Sequence, residues 1–468
     1  MFNFVIKKDK NEKLYVRVYE EIRRAIEENE FERDSKLPPI RVAARELEVN
    51  TSTIVKAYDL LEREGYLYKI VGSGSYVSER KDAKASSEEK EAMEELWSID
   101  PKDKDRINFA GASPSADLFP VKEFKKAINT VLDREGGEAF SYGDSRGYEP
   151  LREKMVKILA ADNIEAEMEN IQIVSGSQQA IDIAGRILIK PGDKVIVEEP
   201  TYPGAISSFK RAGAHIISIP MEKDGMDLEK LKYALGREKG IVFIYTITNF
   251  QNPTGVSWSE KKKKRLLEMT GRYNIKVVED DCMSEIYFSE KKPQSLKAYD
   301  RKDQVIYIKS FSKIFMPGLR FAFMLLPKEL AQSAAKMKYM ADISTSGLTQ
   351  RAFCEYLEEG SIEKHLEEIR RIFRKRHDYM QECLKKVGKI KIAYNTRGGL
   401  FFWLELPEWM DGDKFSKIAY ERGLLVFSGK KFFLKRGGDS HLRISFANTG
   451  LEDIAAGVEI LRKSLEAY

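Results

Sequence analysis

The sequence predicts two folded units: a small winged helix-turn-helix (α+β), then a large α/β domain with a mainly parallel sheet that ends in a smaller α+β subdomain. Three observations predict this. The chain has 468 residues, enough for more than one hydrophobic core. Residues 12–79 carry three stretches of helical apolar spacing and then a short alternating stretch broken by glycines. From about residue 106, short apolar runs alternate with helical patterns, the rhythm of a parallel sheet covered by helices.

In the first unit, LYVRVYEEIRRAIEEN sets Leu14, Val18, Ile22 and Ile26 on one helical face. LPPIRVAARELEV enters a helix through prolines and turns Val42, Ala43 and Leu47 inward. NTSTIVKAYDLLEREGYL opens on polar capping residues and continues with a stripe of Ile54, Ala57, Tyr58 and Leu61. YLYKIVGSGSYVSE alternates and turns at Gly72 and Gly74, a hairpin. This unit is assigned residues 1–79. Residues 80–105, highly charged and partly helical around Glu88–Trp97, are assigned to a solvated linker. Residues 106–349 form the large domain. Residues 350–468, with long charged helices and the strands LFFWLEL and HLRISFA, form the small C-terminal subdomain.

Composition narrows the function classes. The formal net charge is only +5, and acids and bases are equal in number over the first 80 residues. A nucleic-acid surface there must come from clustering on one face, not from bulk charge. Three cysteines, Cys282, Cys354 and Cys383, form no disulfide framework or zinc pattern, and the four histidines show no ligand spacing, so no metal is expected. MFNFVIKKDKNEK lacks an apolar run and no stretch reaches the length of a membrane span, so a cytoplasmic protein is expected. The lysine run in SEKKKKRLLEM reads as the solvated face of a helix.

Polar residues recur where strands of the large domain end, which is where open α/β sheets bind ligands. VSGSQQA puts Ser177 and Gln178 at a strand-to-helix junction, where free N–H groups and the helix dipole suit a phosphate or simply open a helix. VVEDD ends in Asp280 and Asp281, either loop acids or a carboxylate for a protonated ring nitrogen. FQNPTG places Asn252 at another strand end, as a turn former or as a donor to a phenolic oxygen. KSFSKIFMPGLR brings Ser310, Ser312, Lys313 and Arg320 together, hydroxyls and a guanidinium for a phosphate beside an amine that burial and nearby cations can activate.

SGSQQA, EEPTYPG, FQNPTG, EDD, SFSKIFMPGLR and LRISFA, in that order and with this Asp280-to-Lys313 spacing, resemble the fold-type-I pyridoxal 5′-phosphate aminotransferases. INFAGASPSADLFP and FQNPTG lean toward the 2-aminoadipate and aromatic amino-acid branch. The resemblance implies that Lys313 carries pyridoxal phosphate as an internal aldimine, Asp280 pairs with the pyridine nitrogen and Asn252 bonds the ring oxygen. It implies further that Tyr202 stacks on the ring and that Ser177, Gln178, Ser310, Ser312 and Arg320 hold the phosphate. Tyr142 would reach the phosphate of a neighbouring subunit, making a homodimer the functional form, and Arg443 would clamp an α-carboxylate. Cys282 departs from the pattern, standing where such proteins usually have a tyrosine that bonds the ring oxygen, and a thiol is a weak donor.

LPPIRVAARELEVNTSTIVKAY and LEREGYLYKIVGSGSYV resemble the GntR-type winged helix. That resemblance implies a recognition helix entering the major groove of double-stranded DNA through Asn50, Thr51, Ser52 and Thr53, with Arg41 and Lys56 meeting phosphates or bases and Gly72, Ser73 and Gly74 forming the wing tip. Thr51 stands where arginine is common in that family. A helical protein-binding domain is the other reading of residues 12–79. Together the halves resemble the MocR-type subfamily of GntR regulators. The first expectation is a regulator that senses pyridoxal phosphate or an amino compound at Lys313 and passes the change to an operator. The alternative is a working amino-acid aminotransferase with an accessory DNA-binding module, Lys313 then acting as general base.

Overall fold

The computed structural model describes residues 14–27, 30–31, 35–63, 65–70, 73–78, 105–434 and 437–468. It divides into two compact units, Met1–Lys104 and Asp105–Tyr468. Gly72 and the stretch assigned to the linker up to residue 104 lie outside the described residues.

The first unit runs α1 (Leu14–Glu27), α2 (Ile40–Glu46), α3 (Thr51–Arg63), β1 (Leu67–Ile70) and β2 (Gly74–Val77). Its core is the set the helical spacing selects, with Val18, Ile22, Ile54, Ala57 and Leu61 all fully buried. Tyr58 completes it, and its hydroxyl donates to the Pro38 carbonyl at 2.9 Å, so the buried phenol keeps a partner. Val42 departs from expectation and is 39% exposed. The short α2 starts directly after Pro39, and the face it buries is Ala43 and Ala44, with Leu47 just past its end. β1 and β2 pair antiparallel from Leu67↔Val77 to Ile70↔Gly74. Gly74 holds φ +142°, a backbone conformation that L side chains rarely adopt, and a Cβ there would also make the end of the Lys36 side chain, 2.9 Å away, swing aside.

The second unit is built on an eight-stranded sheet. In chain order its strands are β3 (Ile171–Val174), β4 (Lys194–Glu199), β5 (His215–Glu222), β6 (Gly225–Met226), β7 (Ile241–Thr246), β8 (Lys276–Asp281), β9 (Val305–Ser310) and β10 (Ala322–Leu325). In space they run β3-β10-β9-β8-β7-β4-β5-β6. Within it β9, β8, β7, β4 and β5 are mutually parallel. β10 is antiparallel to both β3 and β9. This mixture matters for the site. Residues that follow the parallel strands and residues that precede β10 all arrive at the same edge of the sheet, which is how Arg320 can join residues that follow β3 and β9.

The strand Ile107–Asn108 pairs in parallel with Leu424–Leu425, and Ser445 N–H donates to the Phe109 carbonyl at 2.7 Å, so the start of this unit is tied to the C-terminal part of the chain. There an antiparallel sheet of residues 391–392, 401–405, 441–445 and 427–428 packs with the helices Ser361–Lys385 and Leu451–Ala467 in the main apolar core. The lysine run on the helix Glu260–Tyr273 is not wholly solvated. Lys263 is only 2% exposed, and its Nζ donates to Asn249 Oδ1 at 2.7 Å and to the Gln294 carbonyl at 2.5 Å. The helix turns this position onto the loops that carry Asn249 and Gln294, where two acceptors compensate its burial.

Candidate active site

Alternation along β8 sorts three consecutive buried acids. Glu279 and Asp281 share one face, Glu279 accepting from the Thr248 hydroxyl and from the N–H groups of Leu296 and Lys297. Asp281 accepts from the Tyr307 hydroxyl at 2.6 Å and from Lys309 Nζ at 3.1 Å. Burial alone would raise Asp281, but the Lys309 charge and these donors hold it down at about 2. Asp280 faces the other way. It is 4% exposed, its Oδ2 accepts from the Tyr245 hydroxyl at 2.8 Å, and its Oδ1 is buried without any partner. Burial pushes its carboxyl up to about 6.

Lys313 follows β9, which lies beside β8 in parallel register, Ile308 opposite Asp280. Its side chain has no hydrogen bond or ion pair among the described residues. Burial lowers its pKa, the charges of Arg443 and Arg320 add to that, and the charge of Asp280 opposes it. An amine so placed reaches the neutral, nucleophilic form more readily than a surface lysine. The Tyr202 phenol is pushed up by burial and by the charge of Asp280, with Arg443 and Arg320 opposing, so it senses the same cluster. Burial and Asp280 likewise push the Cys282 thiol up, which keeps it protonated.

Around this cluster stand a helix N-terminus with free N–H groups and a buried arginine with an unpartnered Nε. The helix Ser177–Leu188 begins at Gly176, and the N–H groups of its first turn, at Ser177 and Gln178, have no intrahelical acceptor. Arg320 Nη2 donates to the Ser175 carbonyl at 3.3 Å, and a Cβ on Gly176, at φ +92°, would lie 2.1 Å from that Nη2. Gly176→Ala is therefore expected to displace Arg320 and cost about 1–3 kcal/mol of stability, read by urea unfolding. The Gln178 side chain is occupied, donating to Ser208 Oγ at 2.8 Å and accepting from the Tyr202 hydroxyl at 3.1 Å, which leaves its backbone amide for a ligand and fixes the Tyr202 ring. Ser310 is buried and its Oγ accepts from the Ser312 N–H at 3.3 Å.

Arg443, on the strand His441–Ser445, is 5% exposed and ringed by Phe401, Phe427 and Phe432 at 4.5, 4.7 and 5.1 Å. Its guanidinium donates to Asn252 Oδ1 at 3.0 Å and to the Ala110 carbonyl at 2.6 Å, while Nε is buried without a partner. Burial lowers its pKa to about 9, so a bound carboxylate would relieve the cost of its charge. Asn252 thus spends its oxygen on Arg443 and keeps its amide nitrogen as a donor. Its loop is anchored by Glu198, which is fully buried and accepts from Thr246 Oγ1, Trp258 Nε1 and Gln251 Nε2 at 2.6, 2.9 and 3.2 Å.

The sequence-selected residues fall into two groups. Lys313, Asp280, Tyr202, Arg320 and Arg443 share one electrostatic neighbourhood. Asn252 bonds Arg443 and Gln178 bonds Tyr202, while Ser177 precedes Gln178 and Ser310 and Ser312 precede Lys313 in the chain. Tyr142 does not join them within one chain and is 85% exposed. Sequence reasoning missed Tyr245, the aromatic ring around Arg443, and Glu198. The alternation of IVFIYTI marks Tyr245 as a strand residue, but its partner depends on which strand lies beside it.

In the first unit Arg41, Asn50, Thr51, Ser52, Lys56, Ser73 and Gly74 are exposed and Thr53 is half-buried. Ser73 Oγ lies 2.6 Å from the Tyr76 hydroxyl, and Tyr76 stacks on Tyr68 across the hairpin with ring centres 5.6 Å apart. Among the described residues there is no cluster of metal-ligating side chains, and no helix is long and apolar enough to cross a membrane.

Known proteins place both units. Residues 105–461 match the family aminotransferase class I and II, and residues 14–77 match the bacterial regulatory proteins of the gntR family. The chain is 36% identical to the 2-aminoadipate transaminase of Thermus thermophilus over 77% of its length and 90% of that protein. It is 27% identical to the uncharacterized HTH-type transcriptional regulator YdfD of Bacillus subtilis over 97% of its length and 96% of that protein. Among solved structures it matches LysN, the α-aminoadipate aminotransferase of Thermus thermophilus complexed with N-(5′-phosphopyridoxyl)-L-leucine, with a TM-score of 0.74 and 35% identity over 80% of this chain and 94% of that one. The chain belongs to the class I and II aminotransferase family, with a gntR-family helix-turn-helix domain ahead of its aminotransferase domain.

Proposed function

We propose that this protein is a transcription regulator that holds pyridoxal 5′-phosphate at Lys313 and changes its hold on operator DNA when the cofactor, or an amino compound reacting with it, occupies the site. The observation that carries the reading is the buried, partnerless Oδ1 of Asp280 beside the unengaged amine of Lys313, in a chain that also carries a helix-turn-helix. A buried acceptor with no donor calls for a ligand donor, and a protonated pyridine nitrogen supplies one. When bound, the cofactor supplies an electron sink for bonds at the carbon bearing the amine.

The chain's own residues do the rest. Tyr245 fixes the Asp280 carboxylate through Oδ2 and leaves Oδ1 for the ring nitrogen. Asn252 keeps an amide N–H for the ring oxygen because Arg443 takes its Oδ1. The first-turn amides of Ser177 and Gln178, with Ser310, Ser312 and Arg320, surround the phosphate. Arg443 offers Nε to a carboxylate, which selects amino acids over simple amines. Tyr142, standing exposed, is assigned to the phosphate of a second subunit in a homodimer. In the other unit, Arg41 and Lys56 are assigned to phosphates of double-stranded DNA, Asn50, Thr51, Ser52 and Thr53 to base edges, and Ser73 and Gly74, with Gly72 beyond the described residues, to the wing.

Titrating labelled duplex from upstream of the protein's own gene, with and without pyridoxal phosphate and then with a panel of amino acids, tests this. The expected result is a shift in Kd of fivefold or more, the usual size of coupling between two sites. Equal Kd under every condition refutes it. The likeness to a 2-aminoadipate transaminase and the intact Arg443 clamp favour one second reading, an active aminotransferase, for which sustained turnover of an amino acid with a 2-oxoacid is the mark.

A further inference from the structure

We propose that Val55 reads the 5-methyl group of a thymine in the operator, so that an apolar contact sets base choice at the centre of the recognition helix. The inference rests on the DNA-binding reading above. α3 buries Ile54, Ala57, Tyr58 and Leu61 and exposes Thr51, Ser52, Val55, Lys56 and Asp59, a continuous helical face. The C-terminal half of this face is not free for bases. Asp59 is tied to Lys69 of the hairpin at 2.8 Å, and Glu62 to the same amine at 2.6 Å.

The first two turns of the helix carry no arginine for guanine and no glutamine or asparagine for adenine, and Lys56 is the one side chain there that can bond guanine. Lys56 Nζ lies 5.8 Å from the Tyr15 ring centre, drawn toward α1 and away from the middle of the face. Val55 is left there, 38% exposed, one turn beyond the hydroxyl side chains of Thr51 and Ser52. Val55 keeps over a third of its surface in solvent and has a poorer helix propensity than alanine, so helix stability alone does not favour a valine there. In the major groove the one apolar group on a base edge is the thymine methyl, and a branched aliphatic side chain can cover it. Specificity then comes from methyl burial and short hydroxyl bonds, without an arginine–guanine pair.

The test uses the full chain. Binding duplexes are selected from a random library, and each thymine of the recovered site is replaced in turn by deoxyuridine, which removes only the methyl. One thymine is expected at which the swap weakens wild-type binding about fourfold, the effect of one buried methyl-sized group. Val55→Ala weakens binding to the thymine duplex by a similar factor and becomes indifferent to uracil at that place, so the two losses do not multiply. A selected site in which every thymine tolerates uracil, or a Val55→Ala protein that keeps the full methyl penalty, overturns the inference while leaving DNA binding intact. A chain that selects no sequence removes the base-reading assignment and this inference together. Val55→Thr, which keeps one methyl in a similar shape, separates lost contact from any change in the helix.

Discussion

Lys313→Ala is expected to abolish covalent attachment of pyridoxal phosphate. The absorbance band of the lysine-bound cofactor disappears, and borohydride reduction leaves no pyridoxyl mass on the peptide containing residue 313. Lys313→Arg is expected to fail in the same way, because a guanidinium stays protonated and cannot act as a nucleophile, so the pair separates a need for the amine from a need for positive charge. Neither change should unfold the protein. The lysine side chain makes no hydrogen bond or ion pair among the described residues, and burial and the charges of Arg443 and Arg320 already disfavour its protonated form. Removing it relieves that cost, so the cofactor-free Lys313→Ala protein should be no less stable than wild type in urea. The DNA response to pyridoxal phosphate should vanish with the attachment, while basal affinity for the duplex stays. A pyridoxyl adduct elsewhere on a Lys313→Ala chain would move the assignment to another amine.

The two halves of the chain were legible to different depths. In the helix-turn-helix unit the spacing of Val18, Ile22, Ile54, Ala57 and Leu61 is local information, and all five are buried. Val42 broke the rule because a short helix entered through proline buries a narrow stripe, and periodicity over so few residues does not say where that stripe is centred. In the large unit, strand ends could be picked out because apolar runs stop at polar residues, and the parallel sheet brings those ends to one edge. Lateral neighbours are a different kind of information. That Tyr245 meets Asp280, that three phenylalanines ring Arg443, and that Lys263 turns inward all depend on strand order and packing between segments far apart in the chain. Nothing in EDD says which of its acids faces the site, since alternation gives the faces only once one residue is placed.

The Asp280 carboxylate carries the second large effect, and its sign is opposite in the free and loaded protein. Its pKa is raised from 3.8 to about 6, with burial the leading cause. A carboxyl whose folded pKa lies above its unfolded value adds stability while it is protonated, and that stability is lost as pH rises from about 4 through about 6. A shift of that size corresponds to about 3 kcal/mol at pH 7. Asp280→Asn keeps the shape and the Tyr245 partner while removing the charge. The cofactor-free variant should therefore be more stable than wild type by about 3 kcal/mol at pH 7, the gap closing to under about 1 kcal/mol near pH 4, read from urea unfolding across that range. With pyridoxal phosphate present the ranking should reverse, because in wild type a cationic ring nitrogen gives Oδ1 the donor it lacks, and the neutral amide cannot. Slower cofactor loss from wild type than from Asp280→Asn on dialysis would mark that reversal. A stability gap that does not change with pH would mean that Asp280 is not held as an uncompensated buried charge, and the case for a cationic ligand at Oδ1 would go with it.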